Sequence, residues 1–202
     1  MEQALKRLQE EIRACRACVE RGYPATPPPV VGLGTRARIL LVGQAPGGME
    51  SDSRLPFSGP AGKRLFTWLE RAGFDPERIR EEIYFSALTR CYPGKNARGS
   101  GDRRPSREER ALCTPFLARE FALIDPKLIL LVGQMAIEHF LGKMPLTQAV
   151  GAEFEEEDRF YIPLPHPSGA STWLNSPENR DRLEHAIRLI RWHRTHLIPS
   201  KR

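Results

Sequence analysis

At 202 residues the chain suits one domain with a full core, and two complete domains would be cramped in it. With 40% apolar and 28% charged residues it holds no apolar run long enough to span a bilayer and no signal-like segment near its start, so membrane classes drop out and a cytoplasmic location is expected. The formal charge of +6 admits a polyanionic partner, although an excess of this size also suits a merely solvated surface.

Residues 2–14 repeat Leu5, Leu8 and Ile12 at helical spacing, which predicts an amphipathic helix delivering the C-x-x-C pair Cys15 and Cys18 at its end. Residues 23–35 follow as a connector whose three consecutive prolines lack amide donors and keep it extended. Ile39, Leu40, Leu41 and Val42 then form the continuous apolar run of a strand buried on both faces of a parallel sheet. Gly43 ends the run, and Pro46, Gly47 and Gly48 argue against helix. Gln44, Glu50 and Asp52 are therefore expected on a loop at the strand's carboxyl end, the edge where open α/β sheets bind ligands. PFSGPAG, residues 56–62, sets Phe57 among small residues, where a lone ring can lie flat against a planar ligand. The stretch lacks the G-x-G-x-x-G spacing and a closing Lys-Ser or Lys-Thr pair, which excludes a dinucleotide fingerprint and a phosphate loop.

Residues 62–72 read as a helix closed by Gly73, and Asp75-Pro76 as the start of another. A second strand is expected over 83–89, then Cys91 and a glycine-rich loop in which Arg90, Lys95, Arg98, Arg103 and Arg104 face only Asp102. Ser106 with Glu109 makes a capping box for a helix that carries Cys113 and ends before Asp125-Pro126. Residues 128–133 repeat the first strand's pattern, a short helix and weak β signals at 153–155 follow, and 159–165 form a last strand emptying into HPSGASTWLNSP. Ser176-Pro177 caps a C-terminal helix studded with Arg188, Arg191 and Arg194. Strands alternating with helices imply an α/β fold: a single three-layer α/β/α domain around a central, mainly parallel four-stranded sheet. The loops after Val42, Thr89 and Leu164 then share the carboxyl edge, and the cysteine site ties residues 1–36 onto the rest.

In a reducing cytoplasm the four cysteines, Cys15, Cys18, Cys91 and Cys113, suit a metal or cluster better than disulfides. Four thiolates hold tetrahedral zinc or a cubane iron-sulfur cluster, and this spacing matches neither a zinc finger nor a ferredoxin run. Four unrelated buried thiols remain the alternative.

With GQAPG, PFSGPAG, the four cysteines and His166-Pro167-Ser168 in view, the chain resembles the uracil-DNA glycosylase superfamily, above all its iron-sulfur branches. The fourth family of that superfamily reads G-E-x-P-G, then acidic residues, then P-F-x-G-x-A-G and later H-P-S, and its glutamate before the phenylalanine falls at the spacing of Glu50 before Phe57. The resemblance implies a structural [4Fe-4S] cluster on the four cysteines, with zinc as the alternative. This chain departs at Gln44, where the fourth family has glutamate, and at Ala87, where it has a uracil-reading asparagine. The fifth family also has alanine there and reads C-x-P-P-x-N after the cysteine, which the run from Cys91 to Asn96 resembles apart from Gly94, so Asn96 is the candidate base reader.

The resemblance implies a DNA repair enzyme, most simply a monomer, that flips uracil out of DNA and hydrolyses its N-glycosidic bond, leaving an abasic site. Phe57 would stack on a base bound under Gly43 and Gln44. His166, as a neutral donor, would stabilise the oxyanion developing on it. Glu50 would stabilise the sugar cation and orient the water, with Asp52 as the alternative. Ser168 would hold a phosphate and the basic loop would follow the backbone. Trp173 and Leu174 read as an apolar wedge or, equally, as core. The basic loop before the histidine motif that marks the DNA-crosslinking branch is missing, so no covalent product is expected. A glycosylase for another deaminated base such as hypoxanthine, or a non-catalytic iron-sulfur DNA-binding protein, are the alternatives.

Overall fold

The computed structural model describes residues 2–34, 37–97, 99, 101–169 and 171–197, the last for its backbone alone. Thr35 at the end of the connector and Arg98 of the basic loop lie outside the described residues. Strands β1 (Ile39–Gly43), β2 (Ile83–Ala87), β3 (Leu128–Val132) and β5 (Arg159–Leu164) run parallel, and β4 (Phe154–Glu156) joins antiparallel at one edge, giving the order β2-β1-β3-β5-β4. The sheet thus has five strands where four were expected. The weak signal at 153–155 is a real strand because Glu157 and Asp158, both at positive φ, turn the chain back so that Phe154 pairs with Tyr161. It stays short and acidic, which blunts an exposed sheet edge.

Alternation along the strands divides two apolar cores. Ile39, Leu41, Phe85, Leu130 and Ile162 face one way, onto α4 (Pro60–Arg71) and α9 (Pro177–Leu197). Leu40, Val42, Tyr84, Ile129 and Leu131 face the other, onto α1 (Glu2–Ala14), α6 (Arg107–Ile124) and α7 (Gln134–Leu141). Every residue of β1 and β3 is buried, as their unbroken apolar runs require. The predicted three layers are therefore present.

The connector is fixed at Gly32, where a Cβ would stand 2.6 Å from the Phe85 carbonyl oxygen and whose own carbonyl accepts Gln9 Nε2 at 2.9 Å. Short helices α2 (Ala17–Glu20), α3 (Gly48–Ser53), α5 (Ile79–Glu82) and α8 (Leu146–Ala149) fill the remaining turns. Asp75-Pro76 opens only a turn, and α5 begins three residues later. Glu184 of α9 pairs with Arg71 of α4, Arg194 binds Glu82 at 3.0 Å, and Arg191 donates to the Arg71 carbonyl, so two of the three expected basic residues of α9 hold the helix to the body. No helix among the described residues is long and apolar enough to cross a membrane.

Candidate active site

The carboxyl edge of the sheet gathers Gly43 at the end of β1, Ala87 in register beside it on β2, Gly133 after β3 and the segment after Leu164 on β5. Phe57 reaches this edge in a left-handed backbone conformation, φ 52, uncommon for a bulky residue. Two glycines make room for it. A Cβ on Gly43 would lie 2.9 Å from the end of the Phe57 ring, and one on Gly62 would lie 1.9 Å from the Phe57 carbonyl oxygen. The ring is half-buried and tilts at 54° against Phe85 with centroids 5.7 Å apart. Arg80 Nη1 donates to the Pro56 carbonyl at 2.6 Å while its guanidinium lies over Phe66 and Phe85, so an arginine on α5 fixes the turn from below. Burial lowers its pKa.

Residues 48–53, expected as loop, form α3. Gly47 stands extended at the cap position, and Glu50, third in the helix, accepts the Gly47 N–H on Oε2 at 3.1 Å, nucleating the turn as a capping carboxylate does. Glu50 Oε1 accepts the Gly59 N–H at 3.1 Å. The carboxylate is 9% exposed and bridges the two halves of the motif, while Asp52 on the same helix faces solvent. The loop after Cys91 folds against this helix: a Cβ on Gly47 would stand 3.2 Å from Asp102 Oδ2, and Asp102 accepts from Tyr92 Oη at 3.0 Å and Lys95 Nζ at 3.1 Å. Asn96 lies at the loop's tip, half-buried, its backbone paired with Gly99 and Gly101. Gln44 is also half-buried, and its carbonyl accepts the Thr89 N–H at 3.2 Å.

His166 packs across Gly133, whose Cβ, if present, would lie 3.2 Å from the ring. Its Nδ1 accepts the Ser168 N–H at 3.2 Å, which leaves the proton of a neutral ring on Nε2. Its surroundings desolvate it and Arg104 repels added charge, so its pKa falls below the ordinary histidine value. Arg64 of α4 donates to the Ser168 carbonyl at 3.2 Å, tying the histidine segment to the helix that follows Phe57. Since β1 and β3 are neighbours about 4.8 Å apart, Gly43 with Phe57 and Gly133 with His166 form one site. Trp173 and Leu174 occupy a 3-10 turn, both half-buried; Leu174 packs on the core, and the Trp173 indole N–H is shielded without a partner among the described residues.

All four cysteines line one cavity with Ile12, Arg90 and Phe116. They arrive from four places: after α1, within α2, after β2 and within α6. Cys113, hydrogen-bonded by Cys18 and near Arg90, has its pKa lowered, whereas burial raises that of Cys91 to about 12. Among the described residues, no group of three or more His, Cys, Asp or Glu is arranged to hold a metal ion. The donor set nevertheless fits an anionic sulfur-rich group, because the Arg90 side chain, 3% exposed, reaches the same cavity with Nε and Nη1 lacking any acceptor among those residues.

The family model of the uracil DNA glycosylase superfamily matches residues 29–191. The chain belongs to this superfamily. Among its relatives, the type-4 uracil-DNA glycosylase of Archaeoglobus fulgidus is 32% identical over 197 residues, covering 93% of this chain and 92% of that protein. The type-4 enzyme of Thermotoga maritima is 30% identical over 83% of both chains, and that of Sulfurisphaera tokodaii 28% identical over 93% of this chain and 84% of its own.

Several site residues of this superfamily member escape a motif reading. Arg80 and Arg64 act through backbone carbonyls, and Asp102 through a contact distant in sequence. A fully buried Glu120 on α6 accepts from Tyr84 Oη at 2.8 Å and Ser86 Oγ at 2.9 Å and pairs with Arg90. The sequence signal for it was weak: Glu120 lies seven residues after Cys113, on the same helix face.

Proposed function

We propose that this protein is a monofunctional, monomeric DNA glycosylase that removes uracil flipped out of DNA, with water as the nucleophile and an abasic site as product. The observation that carries the proposal is His166, whose Nδ1 accepts the Ser168 N–H beside a ring seated on Gly43. Breaking an N-glycosidic bond with water favours a dissociative path, with positive charge growing on the sugar and negative charge on the base. His166, neutral near pH 7, donates from Nε2 to the developing oxyanion, and the backbone around Gln44 adds dipoles. Phe57 stacks on the base. Glu50 supplies negative charge towards the sugar while holding the Phe57 turn closed, and Asp52, exposed on α3, is the acid that orients the water.

Asn96 reads the base edge from the loop tip, since β2 offers only the Ala87 methyl beside Gly43. Ser168, Lys95 and Arg104 meet phosphates, positioning the duplex without reading sequence. Cys15, Cys18, Cys91 and Cys113 would hold a [4Fe-4S] cluster, which supplies a structural cross-link between α1, α2, the loop after β2 and α6. Zinc is the alternative occupant. Neither group's own chemistry is used in the reaction.

The test is release of free base from matched oligonucleotides holding uracil opposite guanine, uracil opposite adenine, uracil in single strand, and hypoxanthine, beside His166→Ala. Uracil release that falls at least a hundredfold in the variant is expected, in line with loss of a preorganised oxyanion donor. Hypoxanthine release alone would move the specificity to deaminated purines, for which Ala87 leaves room, and binding without any release would make the protein a non-catalytic DNA binder.

A further inference from the structure

Among the described residues, Arg90 is the buried guanidinium whose donors remain unanswered. Its Nη2 pairs with Glu120, which is 0% exposed and is itself fixed by Tyr84 Oη and Ser86 Oγ. Nε and Nη1 lie out of contact with water and have no acceptor among the described residues. Leaving two donors of a buried guanidinium unsatisfied is costly, and folded proteins rarely do so without a missing partner. The side chain lines the cavity shared by the four cysteines. Thiols are weak acceptors and cannot answer a guanidinium. Four thiolates with inorganic sulfides can, because they present several anionic sulfur acceptors together.

We infer that Arg90 is the internal hydrogen-bond donor and counter-charge of the cysteine-bound cluster, held in place by Glu120. The inference rests on the cluster reading above and adds a residue that lies outside the cysteine set. Glu120 fixes the fork: bound on both oxygens from β2 and Arg90, it cannot turn away and let the guanidinium swing out of the cavity. Glu120 is thus the positioning residue, acting through Arg90, and hydrogen bonds at the sulfurs are among the levers that set a cluster's reduction potential. Arg90 and Glu120 are neutral as a pair, so replacing both by glutamine leaves the net charge unchanged; it takes the guanidinium donors from the sulfurs, which makes added electron density less favourable, and the potential falls.

The experiment uses the full chain purified anaerobically, in three forms: wild type, Arg90→Lys, and the double variant Arg90→Gln with Glu120→Gln, which avoids stranding a buried charge. Iron and sulfide content comes first. Midpoint potential, iron loss to a ferrous chelator and nitrogen hyperfine coupling to the paramagnetic cluster in protein labelled with guanidino-15N arginine follow. Wild type should carry four irons and show the coupling. The double variant should bind the added electron at least tenfold more weakly, about 59 mV for a one-electron couple. Arg90→Lys cannot serve Glu120 and the sulfurs together, and should lose iron about tenfold faster. Loaded variants with wild-type potential and iron loss would overturn the role of Arg90 while the cluster stands. Stoichiometric zinc or no metal in wild type would overturn the cluster reading and this inference with it. If the double variant fails to fold, absence of 15N coupling in wild type is sufficient refutation.

Discussion

Substituting Glu50 by glutamine separates two roles that one carboxylate can play. The side chain, 9% exposed, accepts the N–H groups of Gly47 and Gly59 at 3.1 Å each. Glutamine keeps one carbonyl oxygen for one amide but turns an NH2 group towards the other, so one charge-assisted bond becomes neutral and one becomes two opposed donors. A bond to a charged group contributes about 1.5–3 kcal/mol, a neutral one about 1, and a buried donor left unpaired costs about 1–3. On these figures the loss is at least about 3 kcal/mol. In a chain of this length each kcal/mol moves the melting temperature by about 2–4 °C, so thermal unfolding followed by circular dichroism should drop by about 10 °C. Uracil release at 25 °C should lose in KM as well as kcat, because the turn that presents Phe57 loosens. A variant that melts within about 2 °C of wild type while kcat collapses would refute the clamp and assign the carboxylate to the sugar cation directly.

Gly62→Ala should destabilise by about 2 kcal/mol or more and weaken substrate binding, because the new methyl would meet the Phe57 carbonyl oxygen at 1.9 Å; helix propensity alone favours alanine by about 1 kcal/mol, so a raised melting temperature would refute the steric argument. Arg104→Ala should flatten the dependence of DNA affinity on salt by roughly 0.9 in slope for each phosphate no longer neutralised, read by fluorescence anisotropy; an unchanged slope would remove that residue from the interface. The His166 site should lower stability in acid. Its folded pKa lies below the ordinary value near 6.5, so as pH falls under that value the unfolded chain takes a proton that the folded site resists. The penalty is complete below the folded pKa and absent well above 6.5, and His166→Gln should abolish that part of the pH dependence of unfolding. Protonation also ends the acceptor role of Nδ1 towards Ser168, so uracil release should fall over the same window.

How much of this was legible in the sequence depended on how local the cause was. The apolar run at residues 39–42 marked a strand buried on both faces because nothing polar had to be placed elsewhere. The Ser106 and Glu109 box marked the start of its helix at Arg107, and its Glu109 also binds Arg103 through both oxygens at 2.7 Å. The helix at Gly48–Ser53 was hidden because Gly47 and Gly48 look like breakers until Glu50 turns back onto the Gly47 amide. β4 was faint because a three-residue edge strand has too short a pattern to alternate visibly.

Residue type and order alone determined the α/β alternation, the glycines and Phe57 of the first motif, the histidine segment and the inventory of four thiols, since each is set by backbone sterics or side-chain chemistry within a few residues. Tertiary packing alone decided which groups meet. It turned Glu50 inward and left Asp52 outside, folded Asp102 onto Gly47, bent the arginines of α9 onto the protein's own acids and carbonyls, and brought Arg90 and four distant cysteines to one cavity. Glu50 aside, whose partners Gly47 and Gly59 lie three and nine residues away, those outcomes depend on contacts between residues tens of positions apart, whose energies exist only once the sheet has brought its strand ends together.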